Sequence, residues 1–540
     1  MKSIVLLIAA LAVTALPAAA QSNDRSFEIA KNLEIFSNVY KTLNANYVDD
    51  VDPGKAIKVA IDAMLASMDP YTNYFPESDM EDVKLQLLGQ YGGIGSLIFQ
   101  RGDSIYISEP YEGLPADEAG LRPGDRIVAV GGESTRGKST ADVSAAMRGQ
   151  AGTTVELTLE RDGQEFNKTI TRREIKLPNV SYSGMVADGT VGYVKLDEFT
   201  TDAAKNVRDA FSRLKAEHPN MRGFILDLRG NGGGLMNEAV DIVNIWMKKG
   251  ELVVETKGKT AAKNMRSYTR LAPVDTEIPL AVLIDGQSAS ASEIVSGSLQ
   301  DFDRAVIIGQ RSYGKGLVQN ILPMPYNNQM KVTVSKYYIP SGRCIQAIDY
   351  SHRDDNGHAV KVPDSLKTAF KTRAGRTVYD GFGIEPDIEI EPQYMSNLAM
   401  ALASKMLVFD YATRFCRTHP TIAPASQFEI TDEIYDDFAN FLSTRDYSYP
   451  TVTERTLGVL REAAETEQYI GSISDDIKRM EERVAQEKRS DLNRHREEVS
   501  EMLKAEILMR YYYDRGRIEG GLRNDPDVLR AVQYFNENKK

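Results

Sequence analysis

Cysteine is nearly absent from this 540-residue sequence, which contains only Cys344 and Cys416. Two cysteines exclude a disulfide framework. We favour two free thiols, since unpaired cysteine behaves as a small apolar residue, and a single disulfide between them in an oxidising periplasm is the alternative. Histidine is also scarce, and the five histidines lack the spacing of metal ligands. We therefore predict that the protein works without a metal or any other cofactor.

A surplus of positive charge is missing as well. The chain carries a formal net charge of −12 at pH 7, and no basic surface is indicated, which argues against a nucleic-acid partner. Beyond residue 20 the sequence has no apolar run of the ~20 residues that span a bilayer. We therefore predict a mature chain without stable membrane insertion.

Residues 1–20 have the pattern of a secretory signal peptide. Lys2 precedes an apolar run over residues 4–16, and three alanines at 18–20 form a cleavage site before Gln21. A membrane anchor is disfavoured because the run is shorter than the ~20 residues needed to span a bilayer. The pattern predicts export across the inner membrane and a periplasmic location.

One stretch has the pattern of strand, turn and helix around which the rest of the chain is organised. The apolar run at residues 280–284 is typical of a strand buried on both faces, and residues 285–287 supply a turn. Ser288, Ser290 and Ser292 then open a helical pattern. The free N–H groups of a first helical turn can stabilise an oxyanion, although simple helix capping is the alternative. All three serines are candidate nucleophiles.

A lysine between two glycines follows the next apolar run. That run, residues 305–308, predicts a second strand, and Lys315 lies between Gly314 and Gly316. Parallel strands joined by a helix bring their carboxyl-end loops side by side, so we expect Lys315 near the serines. A desolvated lysine can serve as the base for a serine, while an exposed surface lysine is the alternative. A phosphate-binding loop is disfavoured, because Gly316 stands where GxxxxGK[ST] requires serine or threonine.

A glycine run at residues 230–234 follows another predicted buried strand. It is not a dinucleotide-binding GxGxxG motif, because Leu235 occupies the position of the third glycine. The predicted strands alternate with helices, and the glycine run and the lysine both follow strand ends. That arrangement is typical of sites at the carboxyl edge of a parallel sheet.

The carboxy-terminal processing peptidases, which are tail-specific Ser-Lys endoproteases, have an active-site signature that resembles GQSASASEIVSGSLQD and RSYGKGLVQ in this chain. The resemblance implies that Ser290 is the nucleophile and that Lys315, 25 residues further on, is the general base. It also implies that Gln319 orients the lysine and that Glu293 has a supporting role. The family's DLR-x-N-x-GG stretch is similar here too, which implies oxyanion-hole donors at Gly233 and Ala291.

A second resemblance, to PDZ domains, rests on LPADEAGLRPGDRI at residues 114–127. It implies that the segment containing Gly92, Gly93, Ile94 and Gly95 binds the terminal carboxylate of a peptide through backbone N–H groups. The expected partners are therefore protein or peptide substrates with apolar C-termini. A plain β-barrel with glycine turns is the alternative.

These features predict an α/β crotonase-like protease core with an inserted, mainly β PDZ domain, an N-terminal helical region and a C-terminal α-helical extension. We interpret the N-terminal helical region as a helical domain without a catalytic role. A role in dimer contacts is only an analogy with the family, and a homo-oligomer stays open. Substrate recruitment, dimer formation and gating all stay open as roles for the C-terminal extension. The predicted boundaries are 1–20 for the signal peptide, 21–89 for the N-terminal region, 90–175 for the PDZ domain, 176–392 for the Ser-Lys peptidase core and 393–540 for the C-terminal helices.

The sequence thus favours an exported serine endopeptidase of Ser-Lys type. Its PDZ domain is expected to recognise apolar carboxy-terminal tails and to deliver them to Ser290. The alternative is a non-catalytic PDZ adaptor that binds tails on a protease fold without cutting them. The presence of Ser290, Lys315 and Gln319 argues against that alternative.

Overall fold

The computed structural model describes residues 25–77 and 90–538, which divide into two compact units. The first unit holds residues 25–77 and 319–333, and the second holds residues 90–318 and 334–538. The predicted signal peptide lies outside the described residues. In the described parts of the chain, no helix is both long and apolar enough to cross a membrane. Cys344 and Cys416 are unpaired thiols, as predicted.

The first unit begins with helical residues 25–46, followed by the helix Pro53–Ala66. Asp52 caps the second helix by accepting a hydrogen bond from the N–H of Lys55. The predicted helical region also contains a short strand, Asn73–Phe75, which pairs antiparallel with residues 329–331.

The segment predicted as a PDZ domain forms an antiparallel sheet around a small apolar core that includes Ile105, Ile107 and Leu159. A separate strand, Gln90–Gly93, pairs with Arg173–Lys176. The sheet order is Ser96–Arg101, Ser104–Pro110, Arg126–Val130, Thr154–Arg161 and Gln164–Thr171, with Glu133–Ser134 beside the third strand and helices at Pro115–Glu118 and Thr140–Met147.

A six-stranded sheet, which we call the core sheet, lies at the centre of the second unit. Its first two strands are antiparallel and all the others pair in parallel, as the strand–helix–strand pattern predicted for residues 280–309. The strand order is Val180–Val186, Val191–Leu196, Gly223–Asp227, Leu280–Ile284, Val306–Gly309 and Ile388–Glu389.

Three helices cover one face of the core sheet, which we call the first face: Ala203–Glu217, Met236–Trp246 and Ala291–Asp301. Alternate strand residues such as Leu226 and Val282 pack against these helices, because successive side chains of a strand point to opposite faces. Trp246 is fully buried there.

Smaller elements surround the core sheet within the second unit. Strand Leu252–Gly258 pairs with Met265–Tyr268 and with residues 335–338 of the strand Gln329–Tyr338. The strand Leu317–Pro323 is shared with the first unit. Two further pairs of short strands are Ile348–Arg353 with Ala359–Lys361 and Ala369–Lys371 with Thr377–Tyr379. The 3-10 turns are Ala261–Lys263 and Asp364–Leu366.

The C-terminal region is a packed helical domain rather than a long coiled coil, as the loss of heptad register at Val484 to Leu492 predicted. Its core contains Leu402, Tyr411 and Phe438. The helices are Asn397–Ser404, Leu407–Thr418, Asp432–Leu442, Val452–Thr466, Ile470–Lys488, Asp491–Arg494, Arg496–Gly521 and Pro526–Glu537.

The helical domain contacts the segment predicted as a PDZ domain. Arg101 forms an ion pair with Asp410 at 2.9 Å, and the ring of Phe99 lies edge-on to that of Phe409. Tyr513, at a kink inside Arg496–Gly521, donates its hydroxyl proton to Asp117 at 2.8 Å. We call Arg496–Gly521 the kinked helix and Pro526–Glu537 the C-terminal helix.

Candidate active site

Ser290 lies at the turn between the strand Leu280–Ile284 and the helix Ala291–Asp301, which we call the serine helix. Its backbone has φ 56° and ψ −108°. That region is costly for a residue with a Cβ atom and persists only where the surrounding structure enforces it. The side chain is half-buried. The N–H of Ala291, as the first residue of the helix, has no acceptor within the helix.

The two rival serines are fully buried and donate to backbone carbonyl oxygens. Ser288 Oγ donates to the carbonyl of Leu228 at 2.8 Å, and Ser292 Oγ donates to that of Asn231 at 2.8 Å. Both residues are 0% exposed. A buried hydroxyl whose proton is engaged cannot meet a substrate without repacking, so the geometry favours Ser290 among the three.

Glu293 joins the serine to the loop that carries Lys315. Its carboxylate accepts hydrogen bonds from the N–H of Ser290 at 2.7 Å and from the N–H of Lys315 at 2.9 Å. The N–H of Gly314 and the hydroxyl of Ser312 donate to its other oxygen at 2.7 and 2.6 Å. Burial raises the pKa of this fully buried carboxyl, and the four hydrogen bonds oppose that shift. One buried side chain thus holds both loops.

Tyr337 makes a second link between the same loops. Its hydroxyl lies 2.8 Å from the carbonyl oxygen of Lys315 and 3.1 Å from that of Ser290. Burial raises the pKa of this phenol well above its usual value, so the hydroxyl stays a donor. The alternation of strand Gln329–Tyr338 places Tyr337 on the buried side, but nothing in the sequence assigned it to the site.

Residues 229–234, which we call the glycine loop, touch the turn that holds Ser290. A Cβ atom built on Gly233 would lie 2.7 Å from the carbonyl oxygen of Ala289 and 2.9 Å from the nitrogen of Ala291. Its φ of 102° also requires glycine. Gly233 and Ala291, the two predicted oxyanion-hole donors, are therefore neighbours.

The N–H of Gly233 already has an acceptor in this structure. It donates to Oδ1 of Asn231 at 2.9 Å. Asn231 is 0% exposed, its side-chain nitrogen donates to the carbonyl of Leu196, and its own carbonyl accepts from the N–H of Ala289. Asn231 therefore ties the glycine loop to the serine turn while occupying one of the two predicted donors.

Gln319 belongs to the first unit, whereas Ser290, Lys315, Glu293 and both predicted oxyanion-hole donors belong to the second. Within its unit, Nε2 of Gln319 donates to the hydroxyl of Thr333 at 3.1 Å.

The predicted carboxylate-binding segment is partly a strand. Gly92 and Gly93 lie in strand Gln90–Gly93 and pair with Glu174 and Arg173. A Cβ atom on Gly92 would stand 2.0 Å from the carbonyl oxygen of Gly149, so the close approach of two backbones accounts for this glycine. Ile94 and Gly95 follow the strand, and their carbonyl groups accept from the N–H groups of Ala116 and Tyr111. The segment leads directly into Ser96–Arg101, an edge strand of the sheet.

Asp285 also holds the turns in place, although residues 285–287 were expected only to supply a turn. Asp285 accepts from the N–H groups of Gly230 and Ser288, each at 3.0 Å, and so connects the glycine loop with the serine turn. Its position in an Asp-Gly turn is a signal for such side-chain contacts. In residues 25–77 and 90–538, no group of three or more His, Cys, Asp or Glu side chains is arranged to hold a metal ion.

Family models match three parts of the chain. Peptidase family S41 matches residues 190–355, a PDZ domain matches residues 106–161, and the C-terminal helical domain of a probable PDZ-protease matches residues 398–535.

Similar proteins include a carboxy-terminal-processing protease of Bartonella bacilliformis, which is 36% identical over 322 residues, covering 59% of this chain and 73% of the relative. A probable CtpA-like serine protease of Staphylococcus aureus is 35% identical over 316 residues, covering 58% of this chain and 62% of the relative, which is less than two thirds of its length. Among solved structures, the photosystem II D1 C-terminal processing protease matches with a TM-score of 0.37 and 25% identity, covering 67% of this chain and 93% of that one.

These matches place the chain in the class of proteases that combine a PDZ domain with a C-terminal helical domain. It belongs to peptidase family S41, whose members here include proteins named carboxy-terminal processing proteases. The family resemblance inferred from the serine and lysine motifs is confirmed.

Proposed function

We propose that the protein is an exported serine endopeptidase that captures apolar carboxy-terminal tails with its PDZ domain and cleaves the bound chain with Ser290 and Lys315. One observation carries the proposal. The buried carboxylate of Glu293 binds the backbone N–H groups of both residues, at 2.7 and 2.9 Å, and so fixes the positions of nucleophile and base together. A structural helix cap would have no need to bind the lysine loop as well.

In this mechanism Ser290 Oγ attacks the peptide carbonyl while its proton passes to Nζ of Lys315. The lysine then returns the proton to the leaving amine, and a water molecule hydrolyses the acyl-enzyme by the same route. Lysine must be neutral to accept a proton from the serine. The side chain of Lys315 is half-buried. Gln319 would orient the lysine amine, as the family resemblance implies.

The tetrahedral oxyanion would be bound by the N–H groups of Ala291 and Gly233. In related chemistry the loss of one such donor costs about 3 kcal/mol of transition-state stabilisation. Ala291 supplies a free N–H at the positive end of the serine helix. Gly233 can take part once its N–H turns from Asn231 Oδ1 to the oxyanion or is shared between them.

The PDZ domain would hold the substrate tail by strand addition. Ser96–Arg101 is an edge strand whose outer backbone groups can pair with an extended peptide. Gly92, Gly93, Ile94 and Gly95 precede it, so the terminal carboxylate would meet their region of the backbone. The exposed Leu97 offers an apolar contact at the start of the same strand.

Two further parts of the proposal concern fold and location. The parallel core sheet, with site loops at the carboxyl ends of its strands, supports a crotonase-like α/β core. Export to the periplasm rests on residues 1–20, whose sequence has the pattern of a signal peptide.

The test is cleavage of an unstructured protein with an apolar carboxy terminus, with fragments identified by mass. Ser290→Ala and Lys315→Ala should each abolish cleavage, and Lys336→Ala, which removes an exposed lysine outside the site, should retain it. The same substrate with an amidated terminus should show a raised KM with little change in kcat, because only capture of the carboxylate is lost.

Binding of the tail by the wild-type chain without any cleavage would overturn the peptidase proposal and favour the PDZ adaptor. Cleavage that persists in Ser290→Ala would assign the nucleophile elsewhere. Lys315 must lose its proton to act as the base, so kcat/KM should rise with pH as that group titrates. A rise that followed no group titrating below the usual lysine pKa of ~10.4 would exclude Lys315 as the base.

A further inference from the structure

The C-terminal helix covers the face of the core sheet opposite the serine helix, which we call the second face. Val528, Ala531 and Phe535 pack against strand residues that include Ile225 and Leu283. A Cβ atom on Gly223 would meet the ring of Phe535 at 2.5 Å, so the helix lies directly on the strand that leads to the glycine loop.

The N-terminus of this helix holds two carboxylates against Arg229, the first residue of the glycine loop. Asp525 binds both terminal nitrogens of Arg229, at 3.0 and 2.8 Å, and Asp527 binds one of them at 2.8 Å. Asp227, which is 1% exposed, accepts a hydrogen bond from the same guanidinium at 2.6 Å. We call these four residues, together with Lys195, the ionic cluster.

The two cations of the ionic cluster favour the charged form of Asp227, whereas burial raises the pKa of Asp527 against the effect of Arg229. Lys195 lies 3.7 Å from Asp227 and donates to the carbonyl oxygen of Arg229. Burial opposes ionisation of Asp227, but Arg229 and Lys195 lower its pKa to about 2. Three carboxylates therefore face two cations around one loop residue. Loss of the arginine contacts would leave the carboxylates repelling one another.

Arg229 is connected through the next residues to the turn that holds Ser290. The N–H of Gly230 donates to Asp285, and the carbonyl of Asn231 accepts from the N–H of Ala289. The contacts of the Arg229 side chain thus fix the start of the glycine loop. The Gly233 N–H lies near the other end of the same loop.

We infer that Arg229, Asp525 and Asp527 are positioning residues of the active site, through which the C-terminal helix holds the glycine loop in register with Ser290. This inference rests on the proposed peptidase function and adds to it a role for the end of the chain. The three residues touch no reacting atom. They act by keeping an oxyanion-hole donor in place, and preorganised donors are what make such a hole effective.

The main test is the double variant D525N/D527N. Asparagine is as good an N-cap as aspartate, and Asp525 caps its helix by accepting from the N–H groups of residues 527 and 528. The double variant therefore keeps the helix start and removes only the charges. We expect kcat to fall about 10- to 100-fold, as a small misplacement of a catalytic group does, with KM unchanged.

E537Q is the matched control, because it removes one carboxylate from the far end of the same helix. R229K keeps the charge but loses the two-pronged contact, so its kcat should lie between wild type and the double variant. Unchanged or increased kcat in D525N/D527N would overturn the inference, since an increase would mean that the ionic cluster restrains the loop in an unproductive position.

A second measurement does not depend on cleavage. In the S290A background, hydrogen exchange of the backbone amides of residues 230–234 should be faster with D525N/D527N than with E537Q. Equal exchange in the two variants would also overturn the inference. If the wild-type chain cleaves nothing while exchange changes as expected, the proposed function fails but the positioning role of the ionic cluster stands.

Discussion

The two faces of the core sheet are covered in different ways. On the first face, each covering helix follows closely in sequence after a strand that it packs on, as the serine helix follows Leu280–Ile284. On the second face, the cover comes from the C-terminal helix, which meets strands Gly223–Asp227, Leu280–Ile284 and Val306–Gly309, and from Ile518 and Leu522 just before it. The cover of the first face is therefore local in sequence, whereas the second face is covered by residues that are distant in sequence from its strands.

This difference changes the meaning of the C-terminal region. Tyr193, Ile225 and Ile308 are fully buried on the second face, and residues of the C-terminal helix belong to the same apolar cluster. The helical domain is therefore part of the packing of the peptidase core as well as a domain with its own core. Loss of apolar contacts between the C-terminal helix and the second face should lower stability, whereas changes in the glycine loop should lower activity.

Removal of the largest contact on the second face should have the largest effect on stability. Phe535 is 4% exposed and lies over Gly223. We expect Phe535→Ala to lower the free energy of unfolding by about 3–5 kcal/mol, as for other buried phenylalanines. Denaturant unfolding would measure the loss. Leu529→Ala is the control, because Leu529 lies on the same helix and is 51% exposed, and a change within about 0.5 kcal/mol is expected there.

A similar loss of unfolding free energy in both variants would show that the stability does not depend on the buried side of the helix. In that case the second face would not depend on the Phe535 contact, and the comparison between the faces would fail at that point.

A change in the glycine loop should affect activity instead. Gly233→Ala places a methyl group 2.7 Å from the carbonyl oxygen of Ala289 and imposes a Cβ atom at φ 102°, so the glycine loop must move away from Ser290. We expect kcat/KM to fall about 100-fold or more, as for the loss of an oxyanion-hole donor. Peptide cleavage would be measured beside circular dichroism, which should show that the fold is retained.

Gly232→Ala is the matched neighbour, because a Cβ atom there would meet nothing within 4 Å. A comparable fall in kcat/KM for the two variants would mean that any side chain in the loop is harmful and that the contact with Ala289 is not the cause.

The sequence predicted those parts of the site that are encoded locally. Apolar runs and turn residues predicted three elements of the site: the strand before Asp285, the helix after Ser290 and the parallel strand at residues 306–309. The ionic cluster could not be predicted in this way, because Arg229 and Asp525 are separated by 296 positions. Arg229 lies in the DLR-x-N-x-GG stretch, but nothing in that motif indicates a partner near the C-terminal helix. Tyr337 was not predicted as a site residue, because a buried tyrosine in a strand is usually a packing residue.

The contact between the PDZ segment and the kinked helix should make stability depend on pH. The pKa of Glu109 is raised to about 7. Burial is the main cause, the negative charges of Asp514 and Glu506 add to it, and the positive charge of Arg517 opposes it. The folded protein therefore keeps a proton that the unfolded chain has lost above its usual pKa of 4.5. As pH rises from about 5 to about 7, the free energy of unfolding should fall, and the loss should be complete above pH 7.

Glu109→Gln cannot ionise, so it should be more stable than wild type at pH 8 and show no such advantage at pH 4. Urea unfolding at both values would measure this difference. Glu112→Gln, which removes an exposed carboxylate of the same segment, provides the control. A stability gain for Glu109→Gln that is equal at the two pH values would indicate a packing effect and not a titration.

The smallest expected effect belongs to Gly232. Its φ lies outside the left-handed region, and a Cβ atom would meet nothing within 4 Å. Alanine can therefore adopt the native backbone, and it restricts the unfolded chain more than glycine does. We expect Gly232→Ala to raise the free energy of unfolding by about 0.4–1 kcal/mol, measured by denaturant unfolding. A loss of stability would mean that the loop needs the freedom of glycine at this position, and that its fixation comes from the ionic cluster and Asn231 rather than from local backbone stiffness.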